Sequence, residues 1–263
     1  MRVAGVVLAG GRSTRMGAPK ALLDWHGSTL VRRAVGIVGR VADGPVVVVR
    51  AAGQMLPELP AGVELTEDAR DGRGPLQGIA AGLAAVGVRA DAAFVCGVDA
   101  PLLHPALIGA VVAALAADEQ LDAALPVAHG FPHPLAAAYR TTVAAHVDDL
   151  LGRDVLATRP LLQRLRVRRL DEAALLADPA VAAHDPALDS LLNLNAPAEY
   201  EAARARPAPL VSVVGAGDVH AATLAQAGDG PATVNGVAAV DREEPLAAGD
   251  VVAFAMRRRH RAT

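Results

Sequence analysis

A glycine-rich segment with three cationic side chains lies near the start of the chain. Gly10 and Gly11 follow a short apolar run, and Arg12, Arg15 and Lys20 come next. Glycines let backbone N–H groups approach an anion closely, and the three cations can surround that anion with positive charge. Lys20 is the only lysine in a chain that is rich in arginine. These residue types and their spacing predict a phosphate-binding loop.

The spacing of this loop differs from that of the common P-loop. The P-loop needs four residues between two glycines, followed at once by Lys-Ser or Lys-Thr. Here five residues separate Gly11 from Gly17, and two more precede Lys20. A solvated arginine-rich loop after an edge strand is the alternative. Because the glycine pair, the single lysine and the end of a strand coincide, phosphate binding is favoured.

A carboxylate that could hold a metal ion follows another apolar run. Asp99 comes after the letters AAFVCGV and before Ala100 and Pro101. Its side chain would emerge at the end of a strand, where a hard cation can bridge it to phosphate oxygens. An aspartate that only closes a turn is the alternative. A phosphate loop at the same edge of the sheet favours Mg²⁺ at Asp99.

Two further segments have both a structural and a functional interpretation. Gly74, Pro75 and Leu76 suit a helix N-terminus, but glycine there also lets a base approach the backbone. Asn193 and Asn195 fall on the same side of an extended segment. They could bind a polar acceptor or cap the helix that we predict from residue 197.

The elements that must position these residues alternate along the chain. β-branched apolar runs predict strands at 3–9, 45–50, 63–67, 92–98 and 123–127, and Ala/Leu-rich runs predict helices at 29–41, 76–86, 105–116 and 141–151. This alternation is typical of a doubly wound α/β domain with a mostly parallel sheet. Ligands of such sheets bind beyond the carboxyl ends of the strands. The predicted chemistry therefore lies at one edge.

Composition limits the classes of protein to be considered. The chain has 263 residues, of which 52% are hydrophobic, and its net charge is −3, so neither a nucleic acid nor an anionic membrane is an expected partner. Cys96 is the only cysteine, which fits a reducing compartment, and no run approaches the roughly 20 apolar residues of a membrane span. We expect a cytoplasmic protein.

Several motifs together resemble a known family. LAGGRSTRMGAPKALL at 8–23 resembles the signature of nucleotidyltransferases, and most closely that of the molybdenum cofactor guanylyltransferases. Further similar segments occur in the expected order: EDARDGRGPLQGI at 67–79, CGVDAPLL at 96–103, HPLAAAYR at 133–140 and NLNAPAEY at 193–200. The resemblance covers about residues 1–205 and implies a Rossmann-like nucleotidyltransferase fold.

The resemblance also implies an activity and its substrates. Members transfer GMP from GTP to the phosphate of molybdopterin, with Mg²⁺, and release pyrophosphate. GTP and molybdopterin are then the small-molecule partners, and other proteins of molybdenum cofactor synthesis are possible partners. Cytidylyl or sugar-phosphate nucleotidyl transfer is an alternative, and a nucleotide-binding regulator without catalysis is disfavoured because Lys20 and Asp99 are both present.

Individual roles follow from the matching positions. The backbone at Leu8, Ala9 and Gly10 would border the nucleotide, and Asp68 would lie beside the nucleoside. Lys20 would contact the phosphates, with Arg15 offsetting developing charge, and Asp99 would bind Mg²⁺. The resemblance also extends to a set of further nucleotide-binding positions, which comprises Gly11, Arg50, Gly74, Pro75 and Leu76. Arg50 departs from the family, which often has asparagine there.

The last part of the chain changes in character. RARPAP at 204–209 suggests a linker, so we expect a nucleotidyltransferase domain at 1–205 and a small β-rich segment at 206–263. TVNGVAAVDREEPLAAGDVVAFA at 233–255 resembles part of a β-grasp sulfur-carrier protein. Those carriers end in Gly-Gly, whereas this sequence ends in RRRHRAT. We therefore expect a degenerate segment that packs on the catalytic domain or docks a pathway protein.

Overall fold

The computed structural model describes residues 1–10, 18–68, 74–239 and 241–255. The strands in these ranges are β1 (Val3–Leu8), β2 (Asp24–Trp25), β3 (Ser28–Thr29), β4 (Val46–Ala51), β5 (Val63–Asp68), β6 (Ala92–Gly97), β7 (Ala123–Ala128), β8 (Phe131–Pro132), β9 (Ala136–Arg140), β10 (Val167–Asp171), β11 (Leu210–Val213), β12 (Gly217–His220), β13 (Ala232–Val234), β14 (Val237–Ala238) and β15 (Val251–Phe254). The helices are α1 (Leu30–Gly39), α2 (Pro75–Val86), α3 (Pro105–Ala116), α4 (Ala144–Gly152), α5 (Thr158–Arg164), α6 (Glu172–Leu176), α7 (Pro179–His184), α8 (Pro197–Arg204) and α9 (Leu224–Ala227).

The large sheet has the strand order β10-β7-β9-β6-β1-β4-β5, with β8 paired to β7. The pairs β1 with β4, β1 with β6, β4 with β5, and β7 with β10 are parallel. Strand β9 is inserted between β6 and β7 and runs antiparallel to both. The mostly parallel α/β fold predicted from the sequence is therefore confirmed.

Helices cover both faces of this sheet because its strands are apolar on both sides. In β6, Phe94 and Cys96 share a core with α1 and α3, whereas Ala93 and Val95 share the opposite core with α2, α4 and α5. The period of two along a strand accounts for this division. The sheet forms the middle of a three-layer arrangement, and its strand ends are left as the accessible edge.

The chain order places a crevice at the carboxyl end of β1. From β1 the chain proceeds to β4 and β5 on one side, and then returns to β6 on the other side of β1. From β1 the chain continues to β4 and from β6 to β7, so the next strands lie on opposite sides of this pair, although α1 and α3 pack on the same face of the sheet. This topological switch point is where doubly wound sheets bind their ligands. The segments that carry Gly10 and Asp99 both start there.

The five strands predicted from the sequence are all present, and their ends agree within a residue or so. Strands β9 and β10 were not predicted. Their sequences, AAAYR and VRRLD, each have only a short apolar run that is followed or interrupted by arginine. The helix predicted from residue 141 begins instead as a 3-10 turn, Thr141–Val143, before α4.

A second sheet follows residue 209, with the order β12-β11-β15-β13-β14. Its first strand, β11, is parallel to its last, β15, and the other pairs are antiparallel. It has a small core of its own that includes Val211, Leu224, Val234, Leu246 and Val252. Both the domain boundary at 205/206 and the likeness to a sulfur carrier remain predictions.

This C-terminal sheet packs on α1 through charged contacts. Arg32 Nη2 lies 2.6 Å from an Asp241 carboxylate oxygen, and Arg40 Nη1 lies 2.6 Å from one of Asp250. Gly36 allows the approach, since a Cβ there would lie 2.4 Å from Pro245 Cγ. Within the described ranges, none of the helices has the length and apolar character needed to cross a membrane.

Candidate active site

Three polar side chains from distant parts of the chain meet near the switch point. The Lys20 ammonium lies 3.3 Å from Asp99 Oδ2 and donates a hydrogen bond of 3.0 Å to Asn195 Oδ1. The Lys20 and Asp99 side chains are 19% and 26% exposed. Here a cation, a carboxylate and an amide remain within reach of a ligand. The structure thus brings together three of the residues singled out in the sequence.

Lys20 is held by a short turn that the sequence builds directly after Pro19. Residues Lys20–Leu22 form a 3-10 turn, in which Leu22 N donates to the Pro19 carbonyl and Leu23 N donates to the Lys20 carbonyl, both at 3.0 Å. The turn leads into the β2–β3 hairpin and then α1. The ammonium therefore extends from a backbone with fixed hydrogen bonds.

Asp99 is fixed by backbone contacts on both sides. Val98 N donates to the Leu8 carbonyl at 3.3 Å, which ties the exit of β6 to that of β1. Leu194 N donates to the Asp99 carbonyl at 2.8 Å. This second contact brings the 193–195 segment beside Asp99, although about a hundred residues separate them in sequence. The position of the Asp99 carboxylate also requires a glycine at 97, since a Cβ there would lie 2.4 Å from Asp99 Oδ1.

Replacing Gly97 with alanine should therefore displace the carboxylate of Asp99. We expect turnover to fall about 10-fold and the divalent metal concentration for half-maximal rate to rise, because positioning changes around a metal ligand commonly cost about 10- to 100-fold. A metal titration of the initial rate measures this. Gly109→Ala in α3 is the control, since a Cβ there meets no atom within 4 Å. Unchanged metal dependence in Gly97→Ala would show that turnover does not depend on the exact position of the Asp99 carboxylate.

The side chains of Asn193 and Asn195 have different contacts. Asn195 directs its side-chain oxygen to Lys20, and its Nδ2 lies 3.5 Å from the Asn193 carbonyl. The start of α8 is satisfied instead by Glu199, whose Oε2 accepts from Asn195 N at 2.6 Å and Ala196 N at 3.0 Å. Of the two alternatives, helix capping by the Asn195 side chain is thus not what the structure shows. Asn193 is exposed beside it.

The backbone at the end of β1 is closely tied to β4. Ala9 N and Gly10 N both donate to the Val49 carbonyl, at 2.8 and 3.1 Å. The side chain of Gln54 donates to the Ala9 carbonyl at 3.0 Å and accepts from Ala51 N at 3.0 Å. Gln54 thus fixes the strand end that the sequence places beside a nucleotide. Sequence reasoning missed this residue; an amide shortly after the strand-end position of Arg50 was the available signal.

Arg50 and Asp68 lie at neighbouring strand ends. Arg50 forms a 2.9 Å ion pair with Glu67 and donates to the Gln54 carbonyl at 3.1 Å. Its Nε is buried and has no hydrogen-bond partner among the described residues. Asp68 ends β5 and is in register with Ala51 of β4. Both side chains are therefore on the accessible edge, on the β4–β5 side of the switch point.

The segment Gly74-Pro75-Leu76 forms a helix start, as one of its two interpretations predicts. Gly74 is the N-cap of α2 with φ 77°, a left-handed value that favours glycine, and Pro75 occupies the first helical position. Leu76 is fully buried. Gly11 and Arg15, the remaining candidates, lie outside the described residues.

The described residues of this region support neither a cysteine nucleophile nor a cluster of protein metal ligands. Burial raises the pKa of the Cys96 thiol to about 12, and the negative charge of Asp99 adds to the effect, so a nucleophilic thiolate is not formed near neutral pH. Within the described ranges, no group of three or more His, Cys, Asp and Glu side chains could hold a metal ion. Among the described residues, Asp99 is therefore not part of a ready-made cluster of protein metal ligands.

The sequence is similar to those of known proteins. Two relatives are named probable molybdenum cofactor guanylyltransferase. The one from Mycobacterium avium strain 104 is 41% identical over 165 residues, which are 62% of this chain and 81% of the relative. The one from Mycobacterium tuberculosis H37Rv is 46% identical over 155 residues, 57% of this chain and 74% of the relative.

A solved structure shares the fold. The molybdopterin-guanine dinucleotide biosynthesis protein A from Archaeoglobus fulgidus superimposes with a TM-score of 0.61 at 22% identity, covering 76% of this chain and 96% of that one. The family model for the MobA-like NTP transferase domain matches residues 5–173. These residues include the last four residues of β1, all of β2 through β10, and the segments that carry Lys20 and Asp99. The chain belongs to the MobA-like NTP transferase family and is a nucleotidyltransferase.

Proposed function

We propose that this enzyme transfers GMP from GTP to the phosphate of molybdopterin and releases pyrophosphate. The observation that carries the proposal is the meeting of Lys20, Asp99 and Asn195 at the switch point of a nucleotidyltransferase fold. The names of the relatives, molybdenum cofactor guanylyltransferase, support the choice of base and acceptor. The expected reaction is attack of an acceptor phosphate on the α-phosphate of the nucleotide, with pyrophosphate leaving in line.

A divalent metal is general in this family, and we propose Mg²⁺ held by Asp99. Mg²⁺ is usually bound through one or two carboxylates together with substrate phosphates and water. A single, partly exposed carboxylate at a strand end fits that donor set. When bound, the metal would neutralise charge on the phosphate oxygens.

Lys20 supplies a positive charge for the phosphates. Its ammonium is already oriented by Asp99 and Asn195, so that little reorganisation is needed when an anion arrives. We assign Arg15 to the same task. A phosphate nucleophile is already ionised, so no general base is required, and catalysis consists mainly of positioning and electrostatic stabilisation.

The base and ribose would occupy the β4–β5 side of the crevice. We assign the backbone at Leu8, Ala9 and Gly10 to the nucleotide, with Gln54 fixing the Ala9 carbonyl. The further nucleotide-binding positions are those that the sequence assigns: Gly11, Arg50, Asp68, Gly74, Pro75 and Leu76. Main-chain groups can match the donor and acceptor edge of guanine, and a wrong base would leave them unpaired at a cost of about 1–3 kcal/mol per group.

The acceptor would approach from the opposite side, next to α8. Asn195 is exposed and contacts Lys20, and Asn193, two residues earlier, is also exposed; amides can donate to and accept from a polar pterin phosphate. Since Asn195 also contacts the ammonium, the acceptor and the nucleotide phosphates would meet across Lys20. We place the reaction in the cytoplasm, with other proteins of molybdenum cofactor synthesis as recipients of the product.

Cytidylyl transfer is the second candidate, because Arg50 stands where the family often has asparagine near the base. A thermal-shift comparison of GTP, CTP, ATP and UTP with Mg²⁺ separates the two. We expect GTP to raise the Tm most, by about 5 °C or more at 100 times its Kd, since such saturation stabilises the native state by about 2.7 kcal/mol. Equal stabilisation by CTP would contradict the guanine assignment and favour the second candidate.

A further inference from the structure

One arginine of α1 contacts both the loop at residues 98–104, which is called the Asp99 loop below, and the C-terminal sheet. Arg33 is 5% exposed, and its Nε donates to the Pro101 carbonyl. Its Nη1 donates to the Leu246 carbonyl at 3.2 Å. Pro101 is two residues beyond Asp99, and Leu246 belongs to the core of the C-terminal sheet. A single guanidinium therefore joins two segments that are far apart in the chain.

Because Arg33 is buried, losing either of these two hydrogen bonds would be costly. Burial lowers the pKa of its guanidinium to about 10; the positive charge of Arg40 adds to this effect and the Asp250 carboxylate opposes it. A buried charge is costly unless its N–H groups are hydrogen-bonded. If either carbonyl moved away, Arg33 would be left with an unsatisfied donor. The positions of Pro101 and Leu246 are thereby linked.

The other side of the Asp99 loop is held by a different part of the protein. Leu194 N donates to the Asp99 carbonyl, and Ser190 Oγ donates to the Leu102 carbonyl at 3.4 Å. The Pro101 carbonyl lies between these two contacts in sequence and is directed to Arg33 instead. The loop is therefore fixed from two directions, and Arg33 provides the contact from α1.

The C-terminal partner of Arg33 is itself rigidly held. Leu246 N donates to the Ala222 carbonyl at 2.9 Å, and Ala247 N donates to Asp250 Oδ2 at 2.7 Å. Close by, His104 Nδ1 accepts from Ala106 N, which leaves its Nε2 to donate to the Ala248 carbonyl at 3.0 Å. The end of the Asp99 loop thus has a second contact with the same C-terminal turn.

We infer that the C-terminal sheet is a positioning element of the catalytic centre and that Arg33 transmits its effect to the Asp99 loop. Arg33 is in this sense a positioning residue for the carboxylate. What Asp99 does for the reaction rests on the proposed function, but the mechanical link between Leu246, Arg33 and Pro101 does not. The segment that follows the catalytic domain would then be required for full activity.

Arg40 offers a matched comparison on the same helix. It also contacts the C-terminal sheet, through the Asp250 carboxylate at 2.6 Å and the Pro245 carbonyl. It has no hydrogen bond to the Asp99 loop among the contacts of the described residues. Arg40→Met therefore removes contacts with the C-terminal sheet but leaves both hydrogen bonds of Arg33 in place, whereas Arg33→Met removes the link between Leu246 and Pro101.

The first measurement is hydrogen exchange of the peptide covering 98–104 in the full-length chain. We expect Arg33→Met to increase exchange there, at the amide of Leu103, which donates to the Ala100 carbonyl, and at that of His104. Arg40→Met should leave this peptide as in the wild type. If Arg33→Met does not fold, Arg33→Lys takes its place, since a lysine keeps the charge but lacks the planar fork that serves both carbonyls. Unchanged exchange in the folded Arg33 variant would overturn the inference.

The second measurement is the Mg²⁺ dependence of pyrophosphate release from GTP and molybdopterin. We expect the Arg33 variant to have a kcat about 10-fold lower and a higher half-saturating Mg²⁺ concentration, with the KM for GTP nearly unchanged, because losing a contact that orients a metal ligand commonly costs about 10- to 100-fold. Arg40→Met should lower Tm and keep kcat. Equal kcat losses in both variants would overturn the inference, as would a wild-type Mg²⁺ profile in the Arg33 variant. A wild-type enzyme inactive with GTP would contradict the proposed function instead, and the exchange data would still decide on the link.

Discussion

Replacing Asp99 with asparagine should lower the rate of nucleotide transfer by at least about 100-fold, because the amide lacks the negative charge that we propose holds Mg²⁺, and the metal is what would neutralise the phosphates. The fold should remain intact. The ion pair of Asp99 with Lys20 is partly exposed, and pairs of that kind contribute about 1 kcal/mol or less to the free energy of unfolding. Pyrophosphate release at saturating Mg²⁺, together with a thermal melt, measures both quantities.

The control for this substitution is Asp218→Asn. Asp218 is an exposed carboxylate of β12 that accepts from Ser212 Oγ, so its neutralisation removes the same charge away from the crevice. It should leave turnover near that of the wild type. Turnover of Asp99→Asn within about twofold of the wild type would contradict the metal assignment, since the rate would then not depend on this charge.

Lys20→Ala should have an effect of similar size on transfer and a smaller one on stability. We expect turnover to fall about 100-fold or more, as happens when one oriented charge or donor is removed from a transition state. Lys20→Arg should recover little of this loss, because the ammonium serves Asp99 and Asn195 as a compact point charge and the guanidinium is a planar fork. Steady-state kinetics of both variants test this.

Leu22→Ala is the matched control for Lys20. Leu22 ends the same 3-10 turn and is 41% exposed, so its truncation tests whether any change in this turn impairs the enzyme. Its turnover should stay close to the wild-type value. A fully active Lys20→Arg would show that the single lysine of the chain has no special role in the reaction.

The fold could be predicted largely because parallel strands are buried on both faces. Strands such as β1, β4 and β6 have apolar runs that identify them without structural information; those of β1 and β4 are rich in valine, and that of β6 is apolar throughout. Strand β10 is an edge strand with exposed Arg168 and Arg169, so it lacks that pattern. Strand β9 is mostly alanine, whose strand propensity is low, and it is stabilised by its two neighbours.

Part of the candidate site could be anticipated from residue types and their place after strands. Asp99 directly follows the buried run of β6, whereas Lys20 stood out as the only lysine of the chain in the segment after β1, and the two lie together. The contact of Asn195 with Lys20 could not be decided from sequence, because it depends on Glu199 satisfying the start of α8. Gln54 and Arg33 were missed because each acts on a carbonyl group of a distant segment, and a backbone carbonyl leaves no mark in a sequence.

The central claim is tested most directly by following the α-phosphate of GTP. The full-length enzyme would be incubated with Mg²⁺, molybdopterin and GTP labelled at the α-phosphorus, and the products would be separated and identified by mass spectrometry. We predict that the label enters a dinucleotide of molybdopterin and GMP, with one pyrophosphate released for each dinucleotide formed, and that Asp99→Asn abolishes both. Label found only in free GMP or GDP, or a labelled dinucleotide formed from CTP and not from GTP, would contradict the account.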